Sequence, residues 1–445
     1  MSGWFCRDSK MKNPIRILLI VAGAIAIGLL GFLFIRNLID FPVYYSAGQS
    51  LISGRSDLYS PDFALGRVMD YRYPPFFLIA LTPLWLLPYS LAAYIWYVLS
   101  VFEIIGCVLI VIRVFPSLRG SWILGLAVTL GLAQYFVMAI HYGNAHLLAT
   151  FVLFASLYYV LQGKDLAAAA LMAMAITIKL TAVLLLPYLV FKRRWKLLGS
   201  LCVFLLVFNI APSIYFGFRG NNELLRSWYK HVVASQEFHE DNGPINLSIK
   251  GQLRRYLTTV DYSQRVDGDV QYDPINIASF SRGWVLGAWA VIAACLFAGV
   301  LLVMWRAPPN AQGSVQQIDV DRRKLSHELS LMICLMLLVG PLTSKIYFIA
   351  LLWPVASLAS IAIDGRAREG RVAMRALVIV AIINSVLPLL PGRSIQRLLL
   401  VLGVDFYLNC LVMAALTFVL VSQARAFRAR SVELQTQVRS ETRTP

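Results

Sequence analysis

LAAAALMAMAITIKLTAVLLLPYLVFKRRWK, residues 166–196, decides the fold class. The part from 166 to 191 is apolar except for one charge, Lys179, and it ends in the basic group KRRWK at 192–196. A bilayer asks for about 20 apolar residues per helix, and basic residues collect at the cytoplasmic ends of such helices. The run therefore reads as membrane-embedded, with 192–196 inside. Lys179 divides it into halves of about a dozen residues, which read as two short spans turning at the lysine.

Outward from this stretch the pattern repeats. Apolar runs lie near 15–36, 89–112, 121–140, 147–162, 197–216, 283–305, 327–341, 347–363, 376–391 and 399–421. The segment YPPFFLIALTPLWLLP, 73–88, is apolar too, but Pro74, Pro75, Pro83 and Pro88 punctuate it. It reads as a half-inserted helix on the outer side, tolerated where it packs on protein. Basic residues then fix the parity: Arg113, Arg119, Lys164, 192–196, the DRRK group at 321–324, Arg366 to Arg375, and Arg425, Arg428 and Arg430. All fall inside if 73–88 does not cross and 166–191 crosses twice. The run 15–35 follows Lys10, Lys12 and Arg16 and is too long for the apolar region of a cleavable signal, so it stays as the first span.

The expectation is an all-α polytopic membrane protein, a single domain over 1–445 with about twelve spans and both termini cytoplasmic. Four pieces face outward: the loop 37–88, the link 141–146, the large loop 217–282, read as a cap with short helices, and the corner 341–347. A mobile basic tail, 422–445, stays inside. Of the 445 residues 59% are hydrophobic and only 14% charged, against roughly 25% in soluble chains, so lipid is the main solvent. The net charge of +17 is no nucleic-acid signature, because its cations cap apolar runs. The six cysteines include no CxxC pair and read as small buried hydrophobes.

Ionisable residues at span ends are the candidates for chemistry. Asp40, in NLIDFPVYYSAG, is the first acid after the first span. Tyr44, Tyr45, Ala47 and Gly48 around it suggest a packed loop in which a carboxylate could take a proton from a hydroxyl; a solvated interfacial acid or a helix cap is the plain alternative. Asp57, Asp62 and Asp70 share the loop and could serve metal or acceptor binding, with nothing in the spacing to select one. Lys179 costs about 3 kcal/mol inside an apolar run; a cation there suits a phosphate or pyrophosphate, and snorkelling to the interface is the alternative. His141, Asn144 and His146, in HYGNAH, have poor spacing for a metal pair and no third ligand, so sugar hydrogen bonding or packing fits them better. Lys345 and Tyr347, in GPLTSKIYF at 340–348, add polar groups at another outer span end, and Arg255 is a further cation in the large loop. A cationic subset facing one acid suits transfer with an anionic leaving group. The composition gives no cofactor or metal requirement.

At these residues the chain resembles the GT-C glycosyltransferases. Within them it is similar to the polyprenyl-phosphate-mannose-dependent α-(1→2)-mannosyltransferases of phosphatidylinositol mannoside synthesis. The likeness lies in DFPVYYSAGQSLISGRSDLY (40–59), YRYPPFFLIALTPLWLLP (71–88), HYGNAHLL (141–148), AMAITIKLTAVLLLPYLVFKRRW (173–195) and NLSIKGQLRRYL (246–257), in the family's order. Asn144 and Leu247 stand where the family carries Gln, and Tyr347 where it carries His. The resemblance implies an inverting transferase with outer-face loops forming the site, and a polyprenyl-phosphate sugar donor. The acceptor would be a glycolipid or glycan. Asp40 would be the base; Lys179, Lys345 and Arg255 would hold the donor phosphate. His141, Asn144, Asn246, Ser248, Tyr44 and Tyr347 would bind sugar or acceptor. A flippase of lipid-linked sugars is the rival, but it predicts two similar halves, and the sequence has no such repeat.

Overall fold

The computed structural model describes residues 23, 25–54, 58–59, 71–234, 246–259, 275–305, 315–365, 367–390 and 392–441. Every element among them is helical, as expected of a chain whose backbone polar groups must be satisfied without water. Helix α1 (Ile25–Asn37) bends by 73° into α2 (Phe41–Ile52). The proline-rich segment folds as two short helices, α3 (Pro75–Ala80) and α4 (Thr82–Trp85), each with proline in its first turn, where the missing N–H would have had no helical partner. It is a broken, partly buried pair, as its sequence implies.

Then follow α5 (Tyr89–Val114), α6 (Ser117–Gly120), α7 (Trp122–Gly131), α8 (Ala133–Tyr142), α9 (His146–Leu161) and α10 (Asp165–Ile178). The run 121–140 is bent by 45° between α7 and α8. Lys179 interrupts the decisive stretch: its backbone is extended (φ −143°, ψ 108°), and the chain resumes as a 3₁₀ turn, Leu180–Leu185, and α11 (Leu186–Phe191). The division at the lysine is the one the sequence gives.

The remaining helices are α12 (Trp195–Ile210), α13 (Ser213–Trp228), α14 (Ile249–Leu257), α15 (Arg282–Trp305) and α16 (Val315–Val339). A 3₁₀ turn, Lys345–Leu351, leads into α17 (Leu352–Asp364), and α18 (Ala367–Val386), α19 (Arg393–Leu402) and α20 (Val404–Glu441) complete the chain. Among the described residues five helices are long and apolar enough to cross a membrane, and eight if each bent pair counts as one span. Three apolar helices of 10–17 residues (α9, α10 and Leu180–Phe191) stand beside them. The expected twelve spans include such short pieces.

The core runs along α17, where 89% of the apolar window from Lys345 to Asp364 is buried, whereas α15 lies at the rim with 11%. The second half of α16, from Leu329 to Val339, is buried beside α17. One expectation is corrected. The run 399–421 is not one span: Gly403 takes a left-handed conformation (φ +75°) that ends α19, and the span begins at Val404. Residues 422–441 of the tail are helical and continue α20. The large loop contributes most of α13, a π turn (Tyr229–Val233) and α14; its residues 235–245, His239 among them, and 260–274 lie outside the described residues.

Candidate active site

The site is built around the α1–α2 corner. The backbone N–H groups of Ile39 and Asp40 both donate to the Tyr142 carbonyl, at 3.2 and 2.8 Å. That pins Asp40 beside the α8–α9 link. The link itself turns through Gly143, whose φ of +62° ends α8; an added Cβ would sit 3.1 Å from Leu38 and Phe41 side-chain atoms. Only a residue without a side chain lets this corner approach so closely. Trp96 Nε1 donates to the Gly143 carbonyl at 2.9 Å and fixes the turn from α5.

Asp40 sits at the N-cap position of α2, yet its side chain makes no cap hydrogen bond. Its Oδ2 instead accepts from Asn144 Nδ2. Asn144 Oδ1 accepts from the His146 N–H at 2.6 Å, and this bond orients the amide with its donors toward the acid. The plain reading of Asp40 as a helix cap is thereby set aside. Burial raises the Asp40 pKa, while the Asn144 hydrogen bond and the charges of Lys179 and Arg72 pull it down less strongly.

Across the corner, Lys179 Nζ donates to the Tyr347 hydroxyl and lies 4.1 Å from that ring's centroid. The break between α10 and the 3₁₀ turn, with extended backbone at 179, is where the lysine is presented to Tyr347. Tyr347 stacks on His146, ring centroids 4.1 Å apart. Tyr44 closes the other side: its hydroxyl lies 3.0 Å from that of Tyr73 and accepts from the Ala145 N–H at 3.3 Å. Burial and the nearby Asp40 charge hold both phenols well above their ordinary range, so they stay protonated. Asp40, Lys179, Asn144, His146 and the phenols of Tyr44, Tyr73 and Tyr347 thus converge from the α1–α2 corner, α2, the 71–74 strap, the α8–α9 link, α9, the 179 break and the 345–351 turn, and the Arg72 charge also acts on Asp40.

Other sequence candidates fall elsewhere. Lys345 pairs with Asp405 at 3.9 Å, and Asp405 in turn accepts from Tyr135 at 2.6 Å. Arg255 is buried at 1% exposure against the α19–α20 junction, where a side chain on Gly403 would strike Arg255 and Gln252. These two cations therefore belong to a second cluster at the start of α20, two residues along the chain from Tyr347 at its nearest. Asn246 and Ser248 spend their side chains on backbone. Asn246 Oδ1 accepts from the N–H groups of Ser248 and Thr343, both at 3.1 Å, and its Nδ2 donates to Pro341 at 2.9 Å. Ser248 caps α14 by accepting from Gly251 at 3.3 Å. Asn246 thus ties the large loop to the 341–343 corner, where the Leu247 N–H also donates to the Thr343 carbonyl at 2.7 Å, while Ser248 holds the start of α14. Asn246→Ala is therefore expected to lower stability by about 2–3 kcal/mol, read as a lower Tm in detergent, with KM little changed. His141 is exposed, its ring against Tyr142. Asp57, Asp62 and Asp70 lie outside the described residues.

Sequence reasoning did not place Arg72, Tyr73 or Asp405. Asp405 carries the signal that marked Asp40, an acid at a span end. No group of three metal-binding side chains occurs among the described residues, and the cysteines at 107, 202, 295, 334 and 410 are free.

A helical membrane bundle with an acid and a cation held face to face at one end is an arrangement suited to group transfer. The sequence model of glycosyltransferase family 87 matches residues 71–341, and the chain belongs to that family. It is a membrane glycosyltransferase. Among curated proteins none matches. A solved structure, ArnT from Cupriavidus metallidurans in the apo state, aligns with 18% identity and a TM-score of 0.38, over 92% of this chain and 76% of its own.

Proposed function

We propose that this protein is an inverting GT-C glycosyltransferase that moves a hexose, mannose in the first instance, from a polyprenyl-phosphate donor. The acceptor is a hydroxyl on a glycolipid or glycan at the outer face of the cytoplasmic membrane. The observation that carries this reading is the opposition of Asp40 and Lys179 within one cluster, their charges acting on each other. The acceptor hydroxyl attacks the anomeric carbon from the face opposite the phosphate and gives its proton to Asp40. The bond from that carbon to the phosphate oxygen breaks, and the electron pair leaves with the polyprenyl phosphate. Lys179, released from Tyr347, meets the growing negative charge. A lipid-linked donor suits this face because nucleotide sugars are cytosolic. Asn144, which donates to the acid, Tyr347, which accepts from the cation, and Tyr44 beside them are the sugar and acceptor contacts. Lys345 and Arg255, which the resemblance joins to the phosphate site, hold the neighbouring cluster and support the turn that carries Tyr347.

The raised Asp40 pKa has a sign that can be checked. The base works only when ionised, so activity is lost as pH falls through a value above the ordinary carboxylate range. Asn144 favours the ionised form. Asn144→Ala is therefore expected to move the acid limb of the kcat/KM profile to higher pH, with the plateau reduced about ten-fold or less. An unmoved limb would separate Asn144 from the titrating group. The direct test is transfer of labelled sugar by purified protein from synthetic polyprenyl-phosphate mannose to a membrane glycolipid extract; no transfer with this or any other polyprenyl-phosphate hexose overturns the proposal.

A further inference from the structure

His146 has no part in the transfer proposed above, yet it joins the two halves of the cluster. Its backbone N–H donates to Asn144 Oδ1, and Asn144 Nδ2 donates to Asp40. Its ring stacks on Tyr347, centroids 4.1 Å apart and planes 21° from parallel, and Tyr347 accepts from Lys179 Nζ. The residue is therefore tied to the acid through its backbone and to the cation through its ring. It is 6% exposed.

The side chains around it are engaged with one another. Asp40 is held by Asn144, Lys179 by Tyr347, and Tyr44 by Tyr73 and the Ala145 N–H. The imidazole differs: among the described residues neither ring nitrogen has a hydrogen-bond partner of ordinary geometry. The Tyr347 backbone is near enough to act on the ring, and it can engage only one of the two nitrogens. Burial and the Lys179 charge push the His146 pKa well below the ordinary histidine range, so the ring is neutral, with one nitrogen that donates and one that accepts. Leaving a buried polar atom unpaired is costly. Stacking on Tyr347 asks only for a flat ring, which phenylalanine supplies without that cost. An unspent nitrogen between a base and a phosphate-binding cation suits a hydroxyl, which can give or take a hydrogen bond and so pairs with either tautomer.

We propose that His146 is a specificity-determining residue: a ring nitrogen that the protein leaves unpaired hydrogen-bonds one hydroxyl of the transferred sugar. The inference rests on the transferase reading and goes beyond it by assigning sugar selection to the imidazole. Asp40 and Lys179 serve the bonds exchanged at the anomeric carbon, which every hexose donor shares. Selection among donors needs a group that reads the remaining hydroxyls. A buried nitrogen does so by rejecting a sugar that lacks its hydroxyl, because the nitrogen then stays unpaired.

The test uses the purified full-length protein in detergent, polyprenyl-phosphate mannose, and the set of its monodeoxy analogues, each lacking one hydroxyl. The ratio kcat/KM is measured for every donor with the unaltered protein and with His146→Phe, which keeps a flat ring on Tyr347 and removes both nitrogens. Through this contact the unaltered enzyme should lose about 10–100-fold on one analogue. His146→Phe should lose a similar factor on the parent donor and then transfer that one analogue as well as the parent. His146→Leu, a second variant without nitrogens, should erase the same discrimination, and Tm reports whether each variant is folded. A folded variant that is equally slow on every donor, with the original discrimination intact, would make His146 a packing residue and overturn the proposal. So would an unaltered enzyme that transfers every analogue as fast as the parent, a result that needs no variant. Failure of the unaltered protein to transfer any hexose is a separate outcome: it overturns the transferase reading, and this inference with it.

Discussion

Asp40→Asn is expected to reduce sugar transfer about 10³-fold while leaving the protein folded. The substitution keeps the shape and a hydrogen-bonding oxygen for Asn144, and it removes the one atom able to hold the acceptor's proton. Stability should not fall. Burial raises the Asp40 pKa above its ordinary value, so above that pKa the charged carboxylate is disfavoured in the folded protein, and a neutral amide relieves that cost. The pairing of lost activity with an unchanged or raised Tm is the signature of a group kept for chemistry. A fall in Tm with transfer retained would make Asp40 a structural residue.

Lys179→Met carries the second large effect. Removing a cation that meets a leaving phosphate costs about 10²–10³ in rate. The same substitution removes a charge from an otherwise apolar run, which insertion scales value at about 3 kcal/mol, so the variant should insert and fold at least as well. Lys179→Arg keeps the charge but not the compact head group that fits over Tyr347, and should fall between the two. In the transfer assay, kcat should fall more than the donor's KM rises, since the charge on the phosphate oxygen grows as the bond breaks. An unchanged kcat for Lys179→Met would leave the lysine as an interfacial anchor only.

How much of this could be read in the sequence follows from where each signal resides. Apolar length and basic ends are local properties, so the helical membrane class and the break at Lys179 were legible. Asp40 and Lys179 stood out because a charge beside or within an apolar run needs a reason. The ends of the last span were less visible: one left-handed residue, Gly403, separates an amphipathic helix from the spanning one. Around the bundle, sequence tells which end a residue occupies but not its angular position. Lys345 and Arg255 share an end with Lys179, yet they face Asp405 and residue 403. The roles of Asn246 and Ser248 were hidden for a related reason. Their partners are backbone groups, some nearly a hundred positions along the chain in the 341–343 corner, and no spacing rule reports those. Asp405 was within reach of the rule that found Asp40, whereas Arg72 and Tyr73, inside an aromatic strap, had no such mark.

In the proposed reaction the polyprenyl phosphate leaves against Lys179 while Asp40 faces the acceptor. A structure of the enzyme with bound polyprenyl phosphate measures this directly. A phosphate oxygen is expected within about 4 Å of Lys179 Nζ, with the lysine withdrawn from the Tyr347 hydroxyl. A phosphate bound elsewhere on the bundle, with Lys179 still on Tyr347, would contradict it.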